Sequence, residues 1–454
     1  MILLVNPRAT RPKNRRFPLS LMALGAVLPE GVSWRILDGN LPDADLLVES
    51  SEEIERRRGT ADPVTLVAMT VMPGPQLVSA VPLARALKER FPFLPIAWGG
   101  YFPTLYPGPC LSASYVDWIV RGQGERTFLE LLGVLDGEKP PASVAGLGWK
   151  DGPAPNINPE RRWEGPDALP DPPYDRIEVP AYLHPTNLGR RSAVHQTSIG
   201  CPYTCNFCGV IAAFGSLERF ASPERTERAL ARLAREHGAD SVHFYDNNFF
   251  LKEDHAREIA GRLAPLGLRF WCEARIDVML RFSDVTWEAI RRAGFRMIYF
   301  GAESGSDDVL RKMSKNLTTE ETLALAAKAR AYGIAPEFSF MFGDPDDPAG
   351  EAERTLAFVE RLRLVNPAMK LISYFYTPTP QRRGTYGGID ALAGTPGTLE
   401  EWIAPEWVGW MTHESPCVPW LTPELRARVA TFTASFGGVG PEGAEAYGHL
   451  REVP

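Results

Sequence analysis

The chain has 454 residues, 44% of them hydrophobic and 23% charged, which excludes wholesale disorder and leaves room for roughly two to four domains of about 100–200 residues. A net charge of −7 argues against a protein that grips a nucleic-acid backbone. No apolar run reaches the roughly 18–20 residues of a membrane span, and the first residues carry no basic leader or cleavage site, so a cytoplasmic protein with no membrane partner is expected.

Residues 1–140 alternate short apolar strands with amphipathic helices. Strands are predicted over 1–6, 32–38, 64–72, 95–100 and 117–121, and helices over 18–28, 44–57, 75–90 and 125–135. Strands without polar alternation imply a parallel sheet covered on both faces, a doubly wound, Rossmann-like α/β domain. Ligands of such sheets bind beyond the carboxyl ends of the strands. Asn6, Asp38, Thr70, Gly99-Gly100 and Gly122-Gln123-Gly124-Glu125 end these strands and are expected along one rim.

Residues 141–190 are broken by Pro-Pro, Gly-Pro and Asp-Pro-Pro, and read as a linker with one hairpin near residues 149–153. A second alternation fills 191–380, with strands over 193–198, 241–245, 269–274, 297–301, 337–342 and 371–375. Six such units suit a partial (β/α)6 barrel with its chemistry at the strand carboxyl ends; a second doubly wound sheet competes with it. Residues 381–454 form a Trp-rich, mostly helical segment with a helix near 423–435, and its Trp cluster reads better as a packed cap than as a substrate face.

Cysteine spacing is the sharpest chemical signal. Cys110, Cys272 and Cys417 are scattered and read as small apolar residues. Cys201, Cys205 and Cys208 crowd into eight positions, as ligands of a metal or cluster would. A [4Fe–4S] cluster held by only three thiolates keeps one iron open for a substrate or cofactor. Zinc, with His195 as fourth ligand, is the alternative, although zinc sites more often pair two short hooks and only one is present.

The Cys-x-x-x-Cys-x-aromatic-Cys segment, with Phe207 before the last cysteine, resembles the radical S-adenosylmethionine superfamily. That resemblance implies a cluster on Cys201, Cys205 and Cys208 whose open iron chelates S-adenosylmethionine. Further segments resemble the family at later strand ends: Asp246 and Asn247 after the second, Glu273 and Arg275 at the third, Glu303 and Ser304 at the fourth, and Phe340 in the fifth. With Phe207, these are the residues implied to surround S-adenosylmethionine. Arg275 suits its carboxylate and Phe340 its adenine.

The first domain resembles the cobalamin-binding module of the cobalamin-dependent radical S-adenosylmethionine enzymes. The segments that carry this are Asn6-Pro7, Pro18-Leu19-Ser20, Gly99-Gly100-Tyr101 and Gly122-Gln123-Gly124-Glu125, with Thr70 on the same rim. No histidine precedes His184, so the Asp-x-His-x-x-Gly ligand motif of other cobalamin proteins is absent. Methylthiotransferases share the radical domain but add three N-terminal cysteines; only Cys110 stands there.

The resemblance implies methylation of an unactivated carbon, with a 5′-deoxyadenosyl radical activating the substrate and methylcobalamin supplying the methyl group. The implied partners are a small-molecule or peptide substrate and an external one-electron reductant such as flavodoxin or ferredoxin. An oxidative cyclase or ring-rearranging enzyme on the same scaffold, suggested by Tyr376-Thr377-Pro378-Thr379-Pro380 and the Trp-rich tail, stays open. So does a non-catalytic cobalamin and iron–sulfur sensor.

Overall fold

The computed structural model describes residues 1–151, 154–377, 396–411, 418 and 420–437. The chain divides into two units, Met1–Tyr182 with Gly394–Val408, and Leu183–Ala393 with Gly409–Pro454. Among the described residues no helix is long and apolar enough to cross a membrane.

The first unit is built on a seven-stranded sheet. Five strands are mutually parallel: β1 (Ile2–Asn6), β2 (Trp34–Asp38), β3 (Leu66–Thr70), β4 (Ile96–Gly99) and β5 (Trp118–Val120). All five residues of β1 are buried, as a central strand covered on both faces requires. The order β2-β1-β3-β4-β5 reverses direction at β1, the topological switch of a doubly wound domain. One face packs Leu21, Phe128 and Leu131 from the helices Leu19–Ala26 and Gly124–Leu135 against Leu4, Ala68 and Val120 of the strands.

The stretch read as a linker adds two antiparallel strands to this sheet, β6 (Leu147–Lys150) and β7 (Pro155–Ile157). They are the two arms of the expected hairpin, and residues 152–153 of its tip lie outside the described residues. The Trp-rich tail also contributes: Trp402 is fully buried, with its ring 4.5 Å from that of Tyr106 and edge-on to Phe102 at 5.4 Å. Just before it, Glu400 accepts hydrogen bonds from the Tyr115 hydroxyl at 2.8 Å and the Arg85 guanidinium at 2.5 Å. Trp402 is therefore core, as the packed-cap reading expects; the Trp410 side chain and Cys417 lie outside the described residues.

In the second unit, β8 (Ser192–His195), β11 (Ser241–Phe244), β12 (Arg269–Ala274), β13 (Phe295–Glu303), β14 (Ala335–Phe342) and β15 (Lys370–Phe375) form one all-parallel sheet. Their spatial order follows their sequence order without a reversal. Right-handed crossovers that never reverse put every connecting helix on one side, leaving the other face to curl inward. This is the partial barrel, and the competing second doubly wound sheet is excluded.

Between β8 and β11 the chain inserts a small antiparallel hairpin, β9 (Ser198–Cys201) with β10 (Leu217–Phe220). The sequence gives no sign of it, because the predicted first strand runs straight through residues 193–198 into the cysteine motif. Instead the chain breaks after His195 and pairs again from Ser198. Gly200 makes that pairing possible: its φ is +79°, and a Cβ there would collide with the Leu217 carbonyl oxygen.

Candidate functional site

The first unit encloses a cavity of about 170 Å³ at the carboxyl ends of β3, β4 and β5, closed by the helices that begin at Leu19 and Gly124. Ser20, Thr70, Gly99, Gly100, Gly122, Gly124 and Glu125, all expected on this rim, line it. The Ser20 hydroxyl lies 3.3 Å from that of Thr70 at the mouth. Gly100 has φ +98°, and a Cβ on it would sit 3.1 Å from the Val71 carbonyl oxygen and 3.2 Å from Thr70 Oγ1. Backbone here approaches as only glycine allows. Burial pushes the Glu125 carboxyl up.

Five residues named from the sequence, Asn6, Asp38, Pro18, Leu19 and Tyr101, do not line this cavity. Asn6 is committed elsewhere: its amide donates to Asp38 Oδ1 at 2.9 Å and accepts from Gln76 Nε2 at 2.8 Å. The Tyr182 hydroxyl completes that buried network on Asp38 Oδ2 at 3.0 Å. Pro18 and Leu19 open the helix Leu19–Ala26, and Tyr101 starts the helix Tyr101–Leu105. Conversely, Trp98 and Trp163 line the cavity although neither was singled out. Trp163 belongs to the Pro-rich stretch, where no periodicity marks a ligand-facing side chain.

In the second unit the three cysteines lie between β9 and the helix Gly209–Phe214, with Cys201 as the last residue of β9 and Cys208 just before the helix. Cys205 is buried and the other two are half-buried. Burial raises the Cys201 thiol and pushes Cys208 up to about 12, so both are protonated until a metal displaces the proton. The loop is clamped by backbone and side chain alike: Asn206 donates from its backbone N–H to Met313 O at 3.2 Å and from its amide to Lys312 O at 2.8 Å. Among the described residues no three His, Cys, Asp or Glu side chains converge closely enough to hold one metal ion. Thiolates of a four-iron cluster each take a different iron and need no such convergence. The zinc alternative does need it, and His195 is buried with its ring 6.4 Å from Phe244.

The strand-end residues divide by what their side chains already hold. Asp246 is buried and accepts from Thr197 N at 3.0 Å, Thr197 Oγ1 at 2.7 Å and Ser198 Oγ at 2.5 Å. Burial raises its carboxyl to about 6 despite those donors. It pins the start of the hairpin that carries Cys201. Asn247, next in the chain, is half-buried, and Asn248 is fully buried with neither amide atom partnered. Such a group costs about 1–3 kcal/mol, so this loop still has hydrogen-bonding capacity to spend.

Arg275 donates from Nε to Asp277 Oδ1 at 2.9 Å, from Nη1 to Cys205 Sγ at 3.5 Å and from Nη2 to Lys315 O at 2.8 Å. Glu303, at φ +65° beside an irregularity in the β13–β14 register, pairs with Lys315 Nζ at 2.6 Å. Ser304 gives its hydroxyl to Glu351 Oε1 at 2.8 Å. Glu273 is half-buried at the end of β12, with its charge near the Tyr299 and Tyr374 hydroxyls, both pushed up chiefly by burial.

Phe340, expected beside the adenine, is fully buried in β14 and meets Phe358 edge-on at 6.2 Å. Strand alternation turns Met341 the other way, into an apolar group with Phe207, Met313, Tyr376 and Trp420. Lys315 was missed altogether. It lies outside every recognised motif, twelve residues after Glu303, and the fold brings it onto that carboxylate and over the Phe207 ring at 5.7 Å.

Comparison with known proteins agrees with this geometry. Residues 196–359 match the Radical SAM superfamily, and residues 8–132 match the B12 binding domain. An uncharacterised methyltransferase of Pyrococcus horikoshii is 29% identical over 76% of this chain and 73% of its own length. An anaerobic magnesium-protoporphyrin IX monomethyl ester cyclase of Synechocystis is 26% identical over 74% of this chain and 68% of its own. The solved structure of the radical S-adenosylmethionine methyltransferase TsrM from Kitasatospora setae, with cobalamin and a [4Fe–4S] cluster bound, shares the fold at a TM-score of 0.66 and 19% identity, covering 82% of this chain and 71% of that one. With both modules in one polypeptide, in this order, the chain belongs to the cobalamin-dependent radical S-adenosylmethionine enzymes.

Proposed function

We propose that this enzyme transfers a methyl group to an unactivated carbon of a small-molecule or peptide substrate, drawing electrons from an external one-electron donor such as flavodoxin or ferredoxin. One observation carries the reading: a single chain pairs a three-cysteine loop at the mouth of a partial barrel with a glycine-floored cavity at the carboxyl ends of a doubly wound sheet. Bound at these sites, the cluster with S-adenosylmethionine would supply a carbon-centred radical and cobalamin a transferable methyl group.

Cys201, Cys205 and Cys208 would hold the cluster. Asn247 and Glu273 offer polar groups to S-adenosylmethionine, while Asp246 and Ser304 hold the surrounding loops in place. A cavity near 170 Å³ takes one aromatic ring system, as voids of about 150 Å³ do, so it suits the nucleotide tail of cobalamin and not the corrin. Gly99, Gly100, Gly122 and Gly124 let backbone close on that tail, and Ser20 and Thr70 provide hydroxyls at its mouth. Residues 1–183 contain no histidine, so this stretch would offer bound cobalamin no imidazole.

The cyclase relative favours a second reading, oxidative cyclisation or rearrangement on the same scaffold. The two separate in their by-products. Holoenzyme given methyl-labelled S-adenosylmethionine and a low-potential reductant should release both S-adenosylhomocysteine and 5′-deoxyadenosine. 5′-Deoxyadenosine alone would favour the cyclase, and neither compound would favour the sensor.

A further inference from the structure

Arg275 is the one residue expected to meet S-adenosylmethionine whose cationic group the structure turns toward a cysteine sulfur instead. It is 7% exposed, and each of its three guanidinium nitrogens already donates: to Asp277, to the Lys315 carbonyl and to Cys205 Sγ. The Tyr203 ring, two residues after Cys201, stacks on the guanidinium with 3.7 Å between its centroid and the guanidinium carbon. A planar cation locked on both edges and one face is poorly placed to swing out and clamp a carboxylate.

We infer that Arg275 is a positioning residue that sets the reduction potential of the cluster through its hydrogen bond to Cys205, and is not the carboxylate clamp for S-adenosylmethionine. The inference rests on the proposal that Cys201, Cys205 and Cys208 hold a four-iron cluster. A buried N–H donor withdraws electron density from the ligand sulfur, and a buried positive charge stabilises the reduced cluster, which carries one more electron. Both effects raise the potential and bring the cluster within reach of an ordinary one-electron donor. Tyr203 and Asp277 act one step back, fixing the guanidinium plane so that Nη1 points at sulfur.

The test uses the full chain with its cluster reconstituted, in parent form and as Arg275→Met, which removes both the charge and the donor. Iron content, the midpoint potential from a redox titration followed by electron paramagnetic resonance, and the affinity for S-adenosylmethionine are read on the same preparations. Arg275→Met should keep about four irons. At a fixed potential its ratio of reduced to oxidised cluster should fall at least about tenfold, a shift of about 59 mV for a one-electron couple. Its affinity for S-adenosylmethionine should stay within about threefold of the parent, under 1 kcal/mol. An unchanged midpoint with affinity down about tenfold or more would overturn the inference and restore the carboxylate role. If Arg275→Met takes up no cluster, Tyr203→Leu decides: a smaller shift of the same sign supports the inference, and no shift overturns it. A parent chain that holds no four-iron cluster removes the cluster proposal, and this inference with it.

Discussion

The two candidate sites are made of different materials. In the first unit the cavity is shaped by backbone: glycines at Gly99, Gly100, Gly122 and Gly124, small or apolar neighbours, and few charges. In the second unit the cysteine loop is held by side chains that pair with one another, Arg275 with Asp277 and Cys205, and Lys315 with Glu303. A backbone-built site tolerates change in most side chains and fails where a Cβ enters. A site built from paired charges loses stability when one partner is removed, because the other stays buried without compensation.

The largest expected effect tests the second unit alone. Replacing Cys201, Cys205 or Cys208 with Ala should abolish the cluster, read as loss of iron and of the visible charge-transfer absorption. Cys110→Ala, in the first unit, should leave iron content unchanged, since Cys110 is buried in the helix Pro107–Ser112. Equal loss from both would erase the distinction between ligand and core thiol.

Lys315→Ala should come next. It leaves Glu303 buried with no counter-ion beside it, and breaking such a pair costs about 3–5 kcal/mol. Chemical denaturation should show that loss, and a Lys315→Met, Glu303→Gln double variant should recover most of it. A single variant as stable as the parent would mean that the pair does not hold the loop.

Gly100→Val sharpens the comparison from the other side. At φ +98°, with the Val71 carbonyl 3.1 Å from any added Cβ, the rim must shift. Cobalamin affinity should fall by about tenfold or more, about 1.4 kcal/mol, while iron content stays at the parent level. Loss of iron together with cobalamin would show that the two sites are not independent.

A pH-dependent effect concerns Glu337, inside the barrel sheet. Burial pushes its carboxyl up to about 7 although Trp271 Nε1 donates to it at 2.9 Å. The folded chain keeps a proton there that the unfolded chain loses near pH 4.5, so this group's contribution to stability falls as pH rises from about 4.5 to about 7. The total is about 3 kcal/mol at most. Glu337→Gln keeps an acceptor for Trp271 and should flatten that part of the pH profile; an unchanged slope would place the proton elsewhere.

Much of this was legible before the fold was known, and the limits follow from the same contrast. Periodicity marks parallel strands, and strand ends mark a rim, so Gly99, Gly100, Gly122 and Gly124 could be named from sequence. Cysteine spacing marks ligands because their chemistry is local to eight residues. Side-chain direction and pairing are not local. Phe340 and Met341 are adjacent yet face opposite ways, and one register step decides which meets the Phe207 group. Asp246 resembles a ligand in sequence, but its oxygens are spent on Thr197 and Ser198, about fifty positions away. The hairpin β9–β10 escaped notice because two four-residue strands, one of them interrupted by Gly200, carry too little pattern.

The proposed function needs both cofactors on one chain, each at its own site. Metal and sulfide analysis of anaerobically reconstituted protein loaded with hydroxocobalamin, with electron paramagnetic resonance of the reduced sample, tests it most directly. About four iron, four sulfide and one cobalt per chain are predicted, with a cob(II)alamin signal free of nitrogen splitting from a protein imidazole. Stoichiometric zinc in place of iron, no retained cobalt, or an imidazole splitting would rule that arrangement out.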